Sequence, residues 1–454
     1  YTFRRMSKKV PIVAIVGRAN VGKSSLFNAI IGHREAIVAN EPGTTRDSIM
    51  ARANYGAHDF WLIDTAGMKD AEDEFEFTIQ EQIIQAADSA DVIMVVVEAN
   101  VMITEEDRRV AKLALKSRKP VILVVNKVDK NVRVRLEDYL KLGIKPVMAT
   151  STTQRTGIDE LLEELVSDLP KATITADDDR IKIAILGRPN VGKSQLFNTL
   201  AKKQQAIVAD RAGTTRDVNR TIIKYMGREI ELLDTAGIRR NGKIEVGVEK
   251  FSVIRSLAAV EQADVCFLLI DVNEMSVQLD QKIAGLIKEA GKGLVIVVSK
   301  WDSVIDKDAY TRDALAPKIK YDFDFVPWAP LVFTSSITWQ NVSKLFEIAL
   351  EIVNNRTQKI TTGELNRWLR ACVDAHPPAG LKNSFPRLNY ITQTDDATPT
   401  FKAFGSHTKL LHWSYKRYLE RRLREKYGYE GTPVRFIFSE KHEHQPNAPK
   451  PRGR

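Results

Sequence analysis

Two tandem α/β domains, each a mostly parallel sheet with helices on both faces, followed by a small α+β domain, are the fold class this sequence predicts. Three observations predict it. The segment Gly17-Arg18-Ala19-Asn20-Val21-Gly22-Lys23-Ser24 returns 170 residues later as Gly187-Arg188-Pro189-Asn190-Val191-Gly192-Lys193-Ser194. Strand-length apolar runs alternate with helical patterns through both halves, the signature of a parallel sheet covered on two faces. Residues 355–454 hold 19 Lys and Arg against 9 Asp and Glu, while the preceding 354 residues hold 49 of each, so the whole net charge of +10 lies in the C-terminal part.

Taken in order, the first domain spans 1–169, with strand patterns at 11–16, 60–63, 91–97, 121–125 and 145–149. Ile12-Val13-Ala14-Ile15-Val16 reads as a buried strand and Ser24 to Ile30 as the start of a helix, and Ile181 to Leu186 with Ser194 to Leu200 repeats the pair. Residues 170–179, with Asp177-Asp178-Asp179, read as a polar linker, and the second domain spans 180–354. The third domain, 355–440, orders as helix Glu364 to Ala375, strands Arg387 to Gln393 and Thr400 to Phe404, a basic helix Lys409 to Lys426 and strand Val434 to Phe438. Residues 441–454, with Pro446, Pro449 and Pro451, read as a disordered tail. Tyr1 to Arg5 leads into no signal-peptide core, and Met6 is a candidate first residue. The longest apolar runs, such as Val92 to Val97, fall well short of the roughly 20 residues that span a bilayer. Cys266 and Cys372 are too few for a disulfide framework and read as buried thiols, which fits a reducing cytoplasm.

Both repeated loops fit G-x-x-x-x-G-K-[ST], in which backbone N–H groups wrap phosphate oxygens, the lysine reaches the β- and γ-phosphates and the serine holds Mg²⁺. The repeat continues in Gly43-Thr44-Thr45-Arg46-Asp47 and Gly213-Thr214-Thr215-Arg216-Asp217, and in Asp64-Thr65-Ala66-Gly67 and Asp234-Thr235-Ala236-Gly237. The base is identified by Asn126-Lys127-Val128-Asp129 and Ser299-Lys300-Trp301-Asp302, because a carboxylate can accept from the N1–H and 2-amino group of guanine. The set assigns Lys23 and Lys193 to the phosphates, Ser24, Thr45, Asp64, Ser194, Thr215 and Asp234 to Mg²⁺, and the Gly67 and Gly237 N–H groups to the γ-phosphate. Met68 and Ile238 stand where Ras-like enzymes place the glutamine that orients water. Asn20 and Asn190 resemble asparagines that in several such families coordinate K⁺; the alternative is that they brace the loop.

Two such sets followed by a basic unit resemble the Der (EngA) family of bacterial double-GTPase ribosome assembly factors, over Lys8 to Phe438. The resemblance implies two P-loop G domains and a KH-like C-terminal domain. It further implies hydrolysis of GTP to GDP and phosphate with Mg²⁺ and K⁺, and action in large-subunit assembly through rRNA, in the cytoplasm, as a monomer away from membranes. No Gly-x-x-Gly clamp lies between the C-terminal helices, so a docking face is expected instead of a backbone grip. Three departures from the family stand out. Ser299 replaces an asparagine and shortens the side chain that ties the base pocket to the phosphate loop. Thr150-Ser151-Thr152 and Thr334-Ser335-Ser336 replace Ser-Ala, and Trp339 occupies a position that is commonly glycine. Trp413, Tyr415, Lys416, Arg417, Tyr418, Arg421, Arg422, Arg424 and Lys426 form either a core stripe with a solvated face or an RNA surface. The rival functions are an RNA-binding scaffold with only one hydrolytically active G domain, and a tRNA-modifying GTPase, for which neither cysteine is suitably placed.

Overall fold

A strand with no polar side chain must be flanked by neighbours and covered on both faces, and β1 (Ile12–Val16) is buried along its whole length. The computed structural model describes residues 10–32, 50–56, 58–65, 90–130, 134–170, 180–203, 220–234, 256–275, 277–305, 308, 310–380 and 384–440. The expected linker beyond Pro170 and the expected tail lie outside them.

The phosphate-loop glycine, Gly22, precedes α1 (Lys23–Ile31), and β2 (Met50–Tyr55) then pairs antiparallel with β3 (His58–Asp64). β4 (Val92–Glu98), α2 (Glu105–Lys116), β5 (Val121–Asn126), β6 (Val147–Thr150) and α3 (Ile158–Asp168) complete the repeat. Strand order is β2-β3-β1-β4-β5-β6, parallel apart from β2. The second repeat comprises β7 (Ile181–Leu186), α4 (Lys193–Lys203), β8 (Arg220–Tyr225), β9 (Arg228–Asp234), β10 (Val265–Asp271), α5 (Gln278–Glu289), β11 (Gly293–Ser299), α6 (Thr311–Asp322), β12 (Leu331–Phe333) and α7 (Lys344–Thr357). Its order, β8-β9-β7-β10-β11-β12, is the same. The sequence reading omitted β2, because an edge strand buries little and carries a weak apolar signal, and in the second repeat it gave only the strand Ile181 to Leu186. In both sheets the chain crosses from one side of β1 or β7 to the other, so the loops that follow these strands lie at the switch point where α/β sheets bind ligands.

The last unit is α8 (Thr362–Ala375), β13 (Arg387–Gln393), β14 (Thr400–Ser406), α9 (Trp413–Tyr427) and β15 (Arg435–Glu440), with β14 central, antiparallel to β13 and parallel to β15. The basic helix starts at Trp413 and not at Lys409. A short 3₁₀ turn covers Thr408–Leu410, His407 has φ 53°, and the His412 ring accepts the Ser414 N–H as an N-cap.

This unit is joined to the second repeat by backbone and buried side chains. Leu294 N–H donates to Gly431 O at 2.9 Å and Gly431 N–H to Trp328 O at 2.8 Å. Gly431 sits at φ 74°, and a Cβ there would lie 2.2 Å from Ile352 Cγ1, so the close approach needs glycine. The Arg356 guanidinium, at the end of α7, donates to Gly291 O at 2.8 Å, Thr432 Oγ1 at 3.2 Å and Ala397 O at 3.2 Å. The two G-type repeats also touch: the buried Glu261 carboxylate accepts from Trp61 Nε1 at 2.6 Å and from Val10 N at 3.3 Å. Among the described residues no helix is long and apolar enough to cross a membrane.

Replacing Arg356 by methionine keeps the volume of the stem but removes its bonds to the buried Gly291 O and Thr432 Oγ1 and to Ala397 O. The junction should lose about 2 kcal/mol or more, read as a lower midpoint for the second repeat and last unit in thermal unfolding of the full chain. An unchanged midpoint would mean that the junction does not depend on this side chain.

Candidate nucleotide-binding sites

Each loop is shaped by residues that tolerate positive φ. Gly22 and Gly192 have φ 95° and 96°, and Asn20 and Asn190 have φ 65° and 62°, a conformation asparagine adopts more readily than most residues. A Cβ on Gly17 or Gly187 would lie 2.5 Å from Val96 O or Leu269 O, so only glycine lets the loop leave its strand this close to the neighbouring one. Lys23, only 5% exposed, folds back over the loop, with Nζ donating to Gly17 O at 2.8 Å and Arg18 O at 2.7 Å. Lys193 Nζ repeats both bonds to Gly187 O and Arg188 O. With the carbonyls engaged by lysine, the loop's N–H groups remain directed to a ligand at the helix N-terminus, where α1 and α4 carry no acid in their first turns. Ser24 and Ser194 follow in α1 and α4. Asp64 ends β3 opposite Ile15, and Asp234 ends β9 opposite Ile185, which brings both aspartates beside their loops. Ala19 and Pro189 form the loop crests. Thr45, Gly67, Thr215 and Gly237, with Met68 and Ile238, lie outside the described residues.

The guanine turn of the first repeat is braced from both sides. Buried Asn126 donates Nδ2–H to Val21 O at 3.0 Å and accepts from Thr150 Oγ1 at 3.2 Å. Lys127, at φ 65°, reaches Asn20 O at 2.7 Å and Glu98 Oε1 at 3.1 Å. Ser151 Oγ donates to Asp129 Oδ1 at 2.6 Å, which aims the other carboxylate edge outward. In the second repeat Ser335 Oγ holds Asp302 in the same way at 2.5 Å. Lys300, at φ 56°, pairs with Asp271 at 2.6 Å. Burial opposes ionisation of Asp271, but the donors on Lys300 and Asn273 outweigh it and hold its carboxyl below the usual range.

Three expectations need correction. Ser299 keeps the tie to the phosphate loop: its Oγ lies 2.7 Å from Val191 O and 3.0 Å from Ile270 O, and its single proton serves one at a time. What it loses is bulk. A Cβ on Gly22 would meet Asn126 Nδ2 at 2.4 Å, whereas one on Gly192 would meet nothing within 4 Å. The second correction concerns Trp339, which pairs structurally with Arg155, both at positive φ (64° and 55°). The equivalent of Gly157 is Asn341, as the bonds Ser151 N to Thr156 O and Ser335 N to Gln340 O show. A Cβ at Gly157 would collide with Ala149 O; Asn341 avoids this with its backbone at φ 58° and donates Nδ2–H to Phe333 O at 2.8 Å. Third, the Arg18 and Arg188 side chains turn away from the phosphate cradle toward carboxylates on the next strand and helix, so only their backbones line it.

Sequence reasoning missed the acids that receive these arginines, Glu98, Asp107, Glu274 and Asp280, and the hydroxyls of Thr150, Ser151 and Ser335 that hold the base turn. The Thr104-x-x-Asp107 capping pattern was legible; its link to Arg18 was not. Burial pushes the Cys266 thiol up to about 12 and raises Cys372 as well, so neither is poised as a nucleophile.

Two phosphate loops, each paired with a turn that presents a carboxylate to guanine, define a GTPase with tandem nucleotide sites. Comparison with known proteins agrees. The model of the 50S ribosome-binding GTPase family matches residues 12–127 and 182–300, and that of the KH-domain-like C-terminal domain of EngA bacterial GTPase enzymes matches 359–439. GTPase Der of Alkaliphilus metalliredigens is 44% identical over 95% of this chain and 98% of its own length. GTPase Der of Lachnospira eligens is 43% identical over 96% of this chain and 100% of its own. The chain belongs to the GTPase Der family, and it binds GTP and hydrolyses it to GDP and phosphate. Among solved structures, the G domain of the T. maritima FeoB iron transporter is similar over 35% of this chain and 98% of its own, at 28% identity and TM-score 0.27. Era in complex with MgGDPNP and a segment of 16S ribosomal RNA is similar over 58% and 93%, at 21% identity and TM-score 0.30.

Ser299→Asn should tighten GDP at the second site, because the space beside Gly192 admits the longer amide, whose two N–H protons can serve Val191 O and a second acceptor at once, and one added bond is worth about 1 kcal/mol, roughly fivefold. Titration of the Lys23→Ala chain with and without this change measures it; equal or weaker binding would mean that the serine is already sufficient.

Proposed function

We propose that the chain is a GTP-driven switch in assembly of the large ribosomal subunit, acting through rRNA in the bacterial cytoplasm as a monomer. The observation that carries this reading is the last unit's exposed basic helix. On α9, Arg421 is 71% exposed, Arg417 lies 5.0 Å over the exposed Trp413 ring, and Lys416 and Lys426 face solvent. A cation stacked on an exposed aromatic suits phosphate and base together. The match to a 50S ribosome-binding family supports the ribosomal partner. The two sequence readings of this helix divide by residue: Tyr415 and Tyr418 pack against the domain core, and Trp413 stands outside it. Arg424 leaves the RNA candidates, because it is enclosed by Glu420 at 2.8 Å, Tyr429 O and Thr432 O, and lies over Trp328 at the junction with the second repeat.

Within each G domain we assign phosphate charge compensation to Lys23 and Lys193, and guanine selection to Asp129 and Asp302. Mg²⁺ would be held by Ser24, Thr45 and Asp64, and by Ser194, Thr215 and Asp234. Of these, buried Asp64 and the helix-start serines supply the hard oxygen donors such an ion prefers. Held there, Mg²⁺ would supply positive charge against that of the phosphates. Gly67 and Gly237 are assigned to the γ-phosphate, so that the 44–47 and 67–76 segments report its presence. Asn20 and Asn190, both exposed, are assigned to K⁺, since the side chains of Met68 and Ile238, which stand in the sequence where a water-orienting glutamine would be, have no hydrogen-bonding group.

Hydrolysis should be faster in K⁺ than in Na⁺ at equal ionic strength; equal rates would leave the asparagines as loop braces. Deleting 355–454 should abolish RNA and large-subunit association, and binding by the whole chain should weaken steeply as salt rises. Arg417→Gln with Arg421→Gln should flatten that slope by about 2 in log units, measured by filter binding across a salt series. Salt-indifferent binding would move the RNA contact to the G domains.

A further inference from the structure

The arginines at the second loop position form a lock that differs between the repeats. Arg188, only 6% exposed, donates Nε–H to Asp280 Oδ2 at 3.0 Å, one Nη to Glu274 Oε2 at 3.0 Å and the other to Glu274 O at 2.8 Å. Its own carbonyl receives Lys193 Nζ. The phosphate loop is thereby fastened to the connection between β10 and α5, the same connection whose Asp271 holds Lys300 of the base turn. In the first repeat Arg18 approaches Asp107 Oδ1 at 3.3 Å and Glu98 Oε2 at 3.7 Å. Yet Arg18 Nε and Nη2, and Asp107 Oδ1, are buried without a hydrogen-bond partner. The charges face each other, but the bonds do not form.

The cause lies three residues upstream of each aspartate. Asp107 is the third residue of α2, and its Oδ2 accepts from both the N–H and the hydroxyl of the cap residue Thr104, at 3.0 and 2.8 Å, while Thr104 Oγ1 accepts the Asp107 N–H. The reciprocal cap fixes the carboxylate for the helix and misaligns it for the arginine. Asp280 holds the same place in α5, but the cap residue is Val277, which has no side-chain oxygen to compete for it.

We propose that Arg188 is a positioning residue that sets the second phosphate loop in its GTP-gripping shape, and that the cap residue, Val277 or Thr104, determines how firmly each loop is held. This rests on the reading of the two loops as the GTP sites. A loop already fixed loses less freedom when the ligand arrives, so the second site is prepared for nucleotide and the first is looser.

Exchanging the cap residues tests this in the full chain, with Lys23→Ala used to read the second site and Lys193→Ala to read the first. Val277→Thr should draw Asp280 from Arg188 and raise the second site's KM and GDP Kd about threefold or more, the worth of one hydrogen bond, with kcat little changed. Thr104→Val should tighten the first site. Melting temperatures should move the opposite way, because Val277→Thr adds a helix cap and Thr104→Val removes one. Affinity that follows stability, or does not change, would overturn the proposal. A Lys23→Ala chain that bound no GTP at all would instead remove the second loop as a site, and the reading of tandem sites would fail with it.

Discussion

Everything in each G domain depends on one backbone constraint: the loop after the central strand must spend its carbonyls on the protein so that its N–H groups stay available to phosphate. Lys23 and Lys193 meet it by bonding two loop carbonyls apiece. Asn126 and Ser299 take the carbonyls of Val21 and Val191. Lys127 takes that of Asn20. The sheet exists around this need: β1 is apolar throughout and β7 apart from Lys182, because they lie at the centre, where the chain crosses over and the loop opens.

Duplication preserved that constraint while its supports diverged. Asparagine became serine at 299, and the tie survived because a hydroxyl still reaches Val191 O. Glycine 157 became asparagine 341, and the turn survived because asparagine accepts positive φ and supplies its own bond to Phe333 O. Threonine 104 became valine 277, and a helix cap was exchanged for an arginine lock. In each case the backbone geometry is common to both repeats and the side chain that secures it is not.

The third unit is attached to the second repeat more than to the first among the described residues. Thr398 and Arg435 donate to main-chain carbonyls of the Glu289 to Gly291 turn, and Arg356 of α7 links that turn to Thr432 and Ala397. That turn leads directly into β11 and so into Ser299 and Lys300 of the base pocket. The turn that carries Ser299 and Lys300 and the contact with the third unit therefore lie at the two ends of one strand. The positive charge of the unit is divided in purpose: Arg424 and Arg435 hold the junction, and Arg417 and Arg421 remain at the surface.

The sequence alone determined the duplication, the two G-x-x-x-x-G-K-S loops, the Asn-Lys-x-Asp and Ser-Lys-x-Asp turns and most strands of the first repeat, because each depends on residues a few positions apart whose spacing reflects helix and strand geometry. It misplaced the start of the basic helix by four residues, since the break at His407 is a backbone event with no apolar signal. It left Arg18 and Arg188 as loop residues without side-chain partners, and Arg424 between a core stripe with a solvated face and an RNA surface. Only tertiary structure decided their places, for the acids that capture the first two stand 80 to 92 positions away, and Trp328 stands 96 from Arg424. Local pattern reports that a side chain is charged. Where the charge goes is settled by which distant carboxylate, carbonyl or ring the fold brings within about 3 to 6 Å.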